Sequence, residues 1–249
     1  MLRGKIYFAS DFHLGVPNAE KSREREGWVI NWLDRIAADA EEIYLLGDLF
    51  DFWFEYKRAI PKGFVRFQAK LAELCDRGIA IHVFTGNHDM WMFNYFEEEL
   101  GVKMHRTPIR IERSGRKFMI GHGDGLGPGD HNFKLIKRMF ANRFCILLFR
   151  WLHPDIGIRI ANRWSGRSRD ANGGMDAVFN GEDDEWLLQY AKLKLKTEHT
   201  DYFIFGHRHL VLDLKAGENS RYINLGDWFS DPHYGVFDGS EFRLEKAHG

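Results

Sequence analysis

Five short stretches of the sequence end an apolar run with glycine or another small residue, followed by polar side chains that can bind metal ions. The stretches are FASDFH, LLGDLFD, FTGNHD, MIGHGD and IFGHRH. Carboxylate, amide and imidazole groups of this kind bind borderline or hard divalent ions such as Mn, Fe, Zn or Co. The candidate metal ligands are Asp11, His13, Asp48, Asn87, His122, His207 and His209.

The number and spacing of these residues favour a shared site. Asp11 and His13 are two residues apart, as are His207 and His209, so each pair would lie on one face of a strand. Seven ligands are more than one tetrahedral zinc ion needs. The surplus predicts two metal ions about 3.5–4 Å apart that share a bridging oxygen ligand. Glycine precedes four of the seven candidates and would allow tight turns there.

The elements that would bring these stretches together are strands alternating with helices. Apolar runs at 5–9, 43–46 and 79–84 predict buried strands, and apolar residues recur at helical spacing over 28–36 and 64–74. This alternation predicts an α/β arrangement with parallel neighbouring strands. In such sheets the carboxyl ends of the strands line the ligand crevice, so the polar residues would meet at one rim.

The second half of the chain predicts another sheet. A Ser114-Gly115 hairpin signal separates strands at 109–112 and 117–120, and a helix is predicted over 182–195. Further short strands are predicted at 202–205, 211–214, 221–225, 235–237 and 241–244. We therefore predict an α/β fold with two facing mixed β-sheets flanked by helices. Residues 1–249 would form a single domain with a helical cap insertion at about 130–170.

Composition limits the classes of protein to consider. A formal net charge of −1 gives no overall case for nucleic-acid binding. Cys75 and Cys145 are isolated and make no disulfide framework, which is typical of a reducing, cytoplasmic setting. The N-terminal apolar run is too short for a signal peptide, and no stretch reaches the roughly 18 apolar residues of a membrane span.

Taken in order, the five motifs resemble those of the calcineurin-like metallophosphoesterase superfamily. They are Asp11-x-His13, Gly47-Asp48-x-x-Asp51, Gly86-Asn87-His88-Asp89, Gly121-His122 and Gly206-His207-x-His209. The resemblance implies two divalent metal ions, with manganese the expected metal. One ion would be held by Asp11, His13, Asp48 and His209. The other would be held by Asp48, Asn87, His122 and His207, with Asp48 bridging.

The same resemblance assigns catalytic roles. A metal-bound hydroxide would attack phosphorus, and the metal ions would neutralise the developing charge. His88 would face the substrate, where it would stabilise the phosphoryl transition state or protonate the leaving oxygen, and Asp51 would orient it. Taken singly, Asp51 or Asp89 could equally be a helix cap.

The predicted insertion is basic and rich in large apolar residues. Between residues 131 and 169, nine basic residues and a single acidic one, Asp155, give a formal charge of +8. Large apolar residues recur three or four apart from Phe133 to Trp151. Basic, aromatic helices of this type lie at membrane interfaces or cover an apolar ligand. A hairpin packed on the core with solvated arginines, or a dimer interface, would give the same pattern.

Within the superfamily, the sequence is similar to the UDP-2,3-diacylglucosamine hydrolases, peripheral membrane enzymes of lipid A biosynthesis. The similar stretches are SDFHLG, LLGDLFDFWFEY, GNHDMW, HGDGLGPGD and the basic insertion that follows. The resemblance implies a nucleotide-linked glycolipid substrate, cleaved at the α-phosphorus into UMP and 2,3-diacylglucosamine 1-phosphate. The cap would take the acyl chains at the inner face of the cytoplasmic membrane. Asn87, His88 and Asp130 would contact the substrate.

One residue differs from that hydrolase group and keeps other functions open. Its well-studied members carry arginine where this chain has His88, whereas histidine is the usual residue of the wider superfamily. A phosphatase, phosphodiesterase or nuclease acting on another phosphoester is the alternative. A non-catalytic binding module is disfavoured, because the whole set of candidate ligands is present.

Overall fold

The fold consists of two β-sheets packed face to face, with helices on their outer surfaces. The computed structural model describes residues 4–128, 131–161, 178–229 and 231–247. The strands in these residues are β1 (Lys5–Ala9), β2 (Ala40–Leu45), β3 (Ala80–Phe84), β4 (Lys103–His105), β5 (Ile109–Arg113), β6 (Arg116–Ile120), β7 (Tyr202–Phe205), β8 (Val211–Gly217), β9 (Ser220–Leu225), β10 (His233–Phe237) and β11 (Phe242–Lys246). The helices are α1 (Ala19–Ile36), α2 (Val65–Asp76), α3 (Tyr95–Leu100), α4 (His131–Phe140), α5 (Arg143–Arg150) and α6 (Trp186–Leu195), and 154–161 is also helical.

The first sheet has six strands within the described residues, in the order β11-β10-β1-β2-β3-β4. Strands β1 to β4 run parallel, because helices α1, α2 and α3 return the chain between them. Strand β10 pairs antiparallel with β1, and β11 with β10. The sheet is therefore mixed, and the carboxyl ends of β1, β2 and β3 lie side by side.

The second sheet has five strands within the described residues, in the order β5-β6-β7-β9-β8. Strand β7 pairs parallel with both β6 and β9, while the outer pairs are antiparallel. The β5–β6 hairpin turns at Ser114 (φ 50°) and Gly115 (φ 72°), both left-handed, as the sequence signal predicts. The predicted α/β fold of two facing mixed sheets flanked by helices is confirmed.

Alternating residues divide the core into layers. On β1, Tyr7 and Ala9 pack towards the helices, whereas Ile6 and Phe8 pack between the two sheets. Helix α1 buries Trp32 completely against the first layer. Burying one such large apolar side chain contributes about 1.5–3 kcal/mol. The layers hold the ends of both sheets in fixed positions relative to each other.

Several bounds of the predicted elements differ from the structure, and three of the differences have a clear physical reason. The helix predicted to begin at 182 begins at Trp186, because the preceding acidic residues form a turn and Glu185 is the N-cap. Helix α3 and strand β4 were not predicted, since a six-residue helix and a three-residue edge strand carry too little periodicity.

Helices α4 and α5 occupy the region of the predicted cap, between β6 and α6. The single-domain organisation of residues 1–249 stays a prediction. In the parts of the chain that the structure describes, no helix combines the length and apolarity needed to cross a bilayer.

Candidate metal centre

The candidate ligands follow the carboxyl ends of strands from both sheets. In the first sheet Asp11 and His13 follow β1, Asp48 follows β2, and Asn87 follows β3. In the second sheet His122 follows β6, while His207 and His209 follow β7. Because the strands within each set run parallel and the sheets face each other, the loops meet at one edge of the sandwich.

Five of these residues have left-handed backbone conformations, which non-glycine residues rarely adopt. Their φ angles are 56° at Asp11, 43° at His13, 51° at Asp48, 71° at His207 and 51° at His209. Such residues cost on the order of 1–3 kcal/mol each and persist where the surrounding structure fixes them. These five residues therefore adopt energetically costly backbone conformations, which direct their side chains inwards.

Close approach of the loops explains two of the motif glycines. A Cβ atom on Gly86 would overlap Asp48 Oδ1, and one on Gly206 would overlap Ser10 Oγ and Asp11 Oδ2. Backbone hydrogen bonds join the loops, with His13 N donating to Asp48 O at 2.9 Å. Only glycine at these points lets the loops approach this closely.

We define the first cluster as Asp11, His13, Asp48 and His209, whose ligand atoms all lie within 4.8 Å of one another. The Nε2 atoms of His13 and His209 are 3.1 Å apart, and His209 Nε2 is 3.3 Å from Asp11 Oδ1. The side chains of Asp11 and His13 are fully buried.

We define the second cluster as Asp48, His122 and His207, whose ligand atoms also lie within 4.8 Å of one another. His122 Nε2 is 3.3 Å from Asp48 Oδ2 and 3.2 Å from Asn87 Oδ1. Asp48 belongs to both clusters, and the family resemblance implies a bridging ligand at this residue.

The residues fit a divalent cation. Asp11 Oδ1 is buried with no hydrogen-bond partner among the described residues. Burying carboxylates at such a density is costly unless positive charge compensates them. Oxygen and neutral imidazole nitrogen donors match the preferences of divalent transition ions.

The electrostatics of the centre also favour binding of a cation. Burial lowers the pKa of His122, but the adjacent Asp48 carboxylate outweighs this effect and raises that pKa to about 10. Burial opposes ionisation of Asp48, yet His122 and His88 hold the pKa of this carboxyl well below its usual range. Burial lowers the pKa of His207 to about 4, so this imidazole is neutral at pH 7. A proton on His122 therefore supplies positive charge that a metal ion would replace.

His88 and Asp51 lie beside the clusters. His88 Nδ1 is 3.0 Å from the main-chain oxygen of Asp51 and 3.8 Å from Asp51 Oδ1, and that same Oδ1 is 3.6 Å from His13 Nδ1. The backbone N–H of His88 donates to Asp48 Oδ1 at 2.8 Å. Burial lowers the pKa of His88 to about 4. The orienting role predicted for Asp51 stays a prediction, and its main-chain oxygen is the nearer partner.

Asp89 ties two loops together instead of capping a helix. Its carboxylate accepts backbone N–H bonds from Gly86 and Leu49 at 2.7 Å each, and longer ones from Asp48 and Phe50. Burial, together with the nearby Asp48, raises the pKa of Asp89 to about 7. The loops after β2 and β3 therefore share one anchor.

Other residues near the centre were not predicted from the sequence. Asp227 Oδ2 is 3.9 Å from His209 Nδ1, and the ring of Phe229 stacks on that of His13. Both follow β9 in the stretch NLGDWF, where glycine and then aspartate follow an apolar strand, as in LLGDLFD. Arg25 of α1 donates to His13 O in the loop after β1, and its guanidinium lies over the Phe229 ring. Asp130, a predicted substrate contact, lies outside the described residues.

The cap helices contact the loops that carry the candidate ligands. Lys137 of α4 pairs with Asp124, two residues after His122, at 2.6 Å. Trp91 Nε1 donates to Phe140 O at 3.1 Å, and the Trp91 ring stacks on Phe149 at 5.6 Å. The cap is thus attached directly beside the metal centre.

The other surface of the cap exposes large apolar residues. Phe144 is 77% exposed, Leu148 70% and Trp151 83%, and basic Arg143 and Arg150 bracket α5. The cap therefore presents an apolar surface with positive charges at its margin.

The site combines two parallel sets of strand ends, a shared carboxylate and clustered histidines, which define a metallohydrolase site of the phosphoesterase type. The chain belongs to the calcineurin-like phosphoesterase family, whose pattern it matches over residues 4–211. It is a metal-dependent hydrolase that binds divalent metal.

Similar proteins indicate which phosphoesterases the chain is related to. A UDP-2,3-diacylglucosamine hydrolase of Porphyromonas gingivalis is 38% identical over 256 residues, covering 98% of each chain. One of Aeromonas salmonicida with the same name is 28% identical, covering 96% of this chain and 92% of its own. Among solved structures, the E. coli phosphoesterase Yfce aligns with 98% of this chain and 93% of its own, at 15% identity and a TM-score of 0.46. The chain is therefore a homologue of UDP-2,3-diacylglucosamine hydrolases.

Proposed function

We propose that the chain hydrolyses the diphosphate of UDP-2,3-diacylglucosamine, by attack of water on the α-phosphorus, to give UMP and 2,3-diacylglucosamine 1-phosphate. The observation that carries the proposal is the convergence of both clusters on Asp48, in a chain homologous to hydrolases of that name over nearly its whole length. A diphosphate carries several negative charges, which suits a centre built to hold cations.

The proposed cofactor is a pair of divalent ions, with manganese the expected metal. The first cluster would hold one ion, and the second cluster with Asn87 would hold the other, with Asp48 shared. When bound, the ions would activate a water molecule and neutralise charge on the phosphoryl group. Asn87 would contribute a neutral oxygen, which keeps the net charge of the centre from becoming more negative.

His88 would act on the substrate, as the sequence resemblance implies. A carbonyl oxygen only accepts hydrogen bonds, so Nδ1 of His88 carries a proton towards Asp51 O, and Nε2 of the neutral ring is an acceptor. The negative diphosphate would favour a second proton on this ring. Nε2–H would then donate to the phosphoryl oxygens or to the leaving oxygen. Asn87 and Asp130 are further proposed substrate contacts.

The cap would receive the acyl chains and bring the enzyme to its substrate. Its exposed aromatic and aliphatic residues and its marginal arginines suit the interface of an anionic membrane. We place the protein in the cytoplasm, peripheral on the inner face of the cytoplasmic membrane, with residues 1–249 as one domain and the cap at about 130–170. A homo-oligomer would use the same apolar surface, and nucleic acid is not an expected partner.

The test is release of UMP. Purified protein with Mn²⁺ is expected to release UMP from UDP-2,3-diacylglucosamine in detergent micelles, and His122→Ala is expected to abolish release. His199→Ala is the matched control, because His199 is an exposed histidine away from the centre. No UMP from active, metal-loaded protein would refute the proposed substrate.

A second candidate is hydrolysis of a different phosphoester, which His88 favours because it is the superfamily's usual residue. Cleavage of bis-p-nitrophenyl phosphate without release of UMP would support this candidate. It would leave the metal-dependent hydrolase class unchanged.

A further inference from the structure

Arg25 of α1 is a buried arginine that binds backbone oxygens of a ligand-bearing loop. It is only 3% exposed. Its Nε donates to Phe12 O at 2.6 Å and its Nη2 to His13 O at 2.7 Å, and Nη2 also donates to Val16 O. The guanidinium therefore spans consecutive carbonyls at the point where His13 adopts its left-handed conformation.

Phe229 connects this guanidinium to the imidazole itself. The Arg25 guanidinium carbon lies 4.5 Å from the centre of the Phe229 ring. The Phe229 and His13 rings are 5.5 Å apart with planes tilted by 21°, which is a stacked arrangement. The backbone and the ring of His13 are thus fixed by two connected side chains.

The far nitrogen of His13 shows why this support matters. A histidine that binds metal usually donates its other ring N–H to a carboxylate, a carbonyl or water, and that bond sets the ring orientation. His13 Nδ1 has no hydrogen-bond partner among the described residues, since Asp51 Oδ1 is 3.6 Å away. Contacts with the backbone and the ring face of His13 therefore have more weight in setting its orientation.

We propose that Arg25 and Phe229 are positioning residues for His13, and that together they hold its imidazole in the orientation that binds the ion of the first cluster. The inference rests on the metal binding proposed above. Residues that orient a metal ligand typically change metal affinity by about 10- to 100-fold when mutated. Because the second cluster does not contain His13, the effect belongs to one ion.

The experiment is a Mn²⁺ titration of metal-free protein, with free Mn²⁺ followed by its electron paramagnetic resonance signal. Arg25→Lys keeps the positive charge and an aliphatic stem, but one ammonium cannot span two carbonyls as the planar fork does. We expect Mn²⁺ binding at one site to weaken by about 10- to 100-fold, with the other site unchanged. Phe229→Leu keeps an apolar side chain without the flat ring and is expected to weaken the same site.

Arg106→Lys is the matched control. Arg106 also forks onto two consecutive carbonyls, donating to Met92 O and Phe93 O at 2.6 Å each, and it lies over the ring of Phe93. None of these residues is a candidate ligand. This variant is expected to bind Mn²⁺ like the wild type. The comparison distinguishes the loss of any arginine that binds two carbonyls from the loss of the arginine that binds the carbonyl of His13.

Binding of Co²⁺ gives a second measurement, which reports on the geometry of the ligands and not on the stability of the protein. The visible spectrum of Co²⁺-loaded protein reports ligand geometry, and it is expected to change in Arg25→Lys and Phe229→Leu but not in Arg106→Lys. Added Mn²⁺ is expected to restore phosphoesterase activity to both affected variants.

The possible outcomes separate the two proposals. Equal Mn²⁺ affinity in all four proteins would overturn the positioning role, whereas absence of Mn²⁺ binding by the wild type would overturn the proposed metal centre. Thermal unfolding of the metal-free proteins identifies any variant that fails to fold. If Arg25→Lys does not fold, Phe229→Leu decides, because Phe229 is partly exposed and lies outside the buried core.

Discussion

At the scale of single residues, the metal centre depends on backbone conformation as much as on side-chain type. Five candidate ligands adopt positive φ angles, and glycine at positions 86 and 206 admits the neighbouring loop. Asp89 then joins the loops after β2 and β3 through bonds to their backbone N–H groups. Backbone conformation and contacts between the loops therefore fix the positions of these side chains.

Substitution Asp89→Asn tests this anchor. An amide nitrogen would replace an oxygen that accepts backbone N–H bonds, so two donors would face each other in a buried place. We expect the free energy of unfolding to fall by about 1–3 kcal/mol in urea titrations at pH 7. The control is Asp155→Asn, because the side chain of Asp155 is 90% exposed. An Asp89 variant as stable as this control would contradict the anchoring role.

Residue types could be predicted from the sequence, whereas several roles could not. Alternating Asp and His residues after apolar runs can be read directly from the sequence, so the seven candidate ligands could be proposed without a structure. The roles of Asp89 and Phe229 depend on which loops lie opposite them. A carboxylate that binds four N–H groups looks, in the sequence, the same as a helix cap.

At the scale of elements, parallel strands bring the candidate ligands together, and helices α4 and α5 contact neighbouring loops. Helix α5 contributes Phe149, whose ring is 4.6 Å from that of Phe54 and 5.6 Å from that of Trp91. Trp91 follows the His88-Asp89 pair closely in the sequence. This aromatic contact is therefore the main apolar attachment of α5 beside the metal centre.

We expect Phe149→Ala to loosen the cap while leaving the core intact. The substitution removes the ring that packs on Phe54 and Trp91, so amide hydrogen exchange over 131–152 should accelerate while exchange in β1 to β3 stays unchanged. Phe144→Ala is the matched control, because Phe144 lies on the same helix and is 77% exposed. Equal exchange rates in the two variants would show that Phe149 does not hold the cap.

Strands β3 and β4 carry a pair of histidines with a consequence for acid stability. His82 Nδ1 is 2.9 Å from His105 Nε2, and the His82 ring stacks on Tyr44 at 4.4 Å. Burial, with His105 nearby, lowers the pKa of His82 to about 4. Between pH 4 and 6.5 the unfolded chain therefore binds a proton at this position that the folded chain does not, so stability is lost as the pH falls.

The measurement is urea unfolding at pH 7 and pH 5. His82 is expected to account for roughly 2 kcal/mol of the lower stability at pH 5, and His82→Gln should remove that part of the pH dependence. His153→Gln is the control, since His153 is an exposed histidine. An unchanged pH dependence in His82→Gln would refute the assignment.

Elements with a strong apolar pattern were predictable, and elements with little burial were not. Strands β1 and β7 match their predicted bounds, because each contains a run of four apolar residues that is buried throughout. Strand β4 has three residues at a sheet edge and little burial, so tertiary pairing with β3 defines it. The start of α6 was wrong by four residues, since acidic residues are compatible with both a turn and a helix.

At the scale of the whole molecule, two surfaces combine: the metal centre at the strand ends and the apolar surface of the cap. The first binds charge and the second is suited to lipid. Their closeness is what a glycolipid with a diphosphate requires, since its two parts have opposite solubility.

Binding to vesicles tests the cap surface. The double variant Leu148→Ser and Trp151→Ser should bind vesicles of anionic phospholipid at least 10-fold more weakly than the wild type in flotation assays, because two exposed apolar anchors are removed. Leu193→Ser is the control, as Leu193 is 56% exposed on α6. Equal binding by both variants, or a change in oligomeric state alone, would refute the membrane role and favour a protein interface.

The position of β1 has a consequence for biosynthesis. This strand lies between β2 and β10 in the sheet, although β10 is translated long after both β1 and β2. A nascent chain on the ribosome therefore carries one bare edge on its central strand until residues 233–237 have left the exit tunnel. A stop codon before residue 233 would leave that edge permanently open, and unpaired edges of this kind recruit other strands into aggregates.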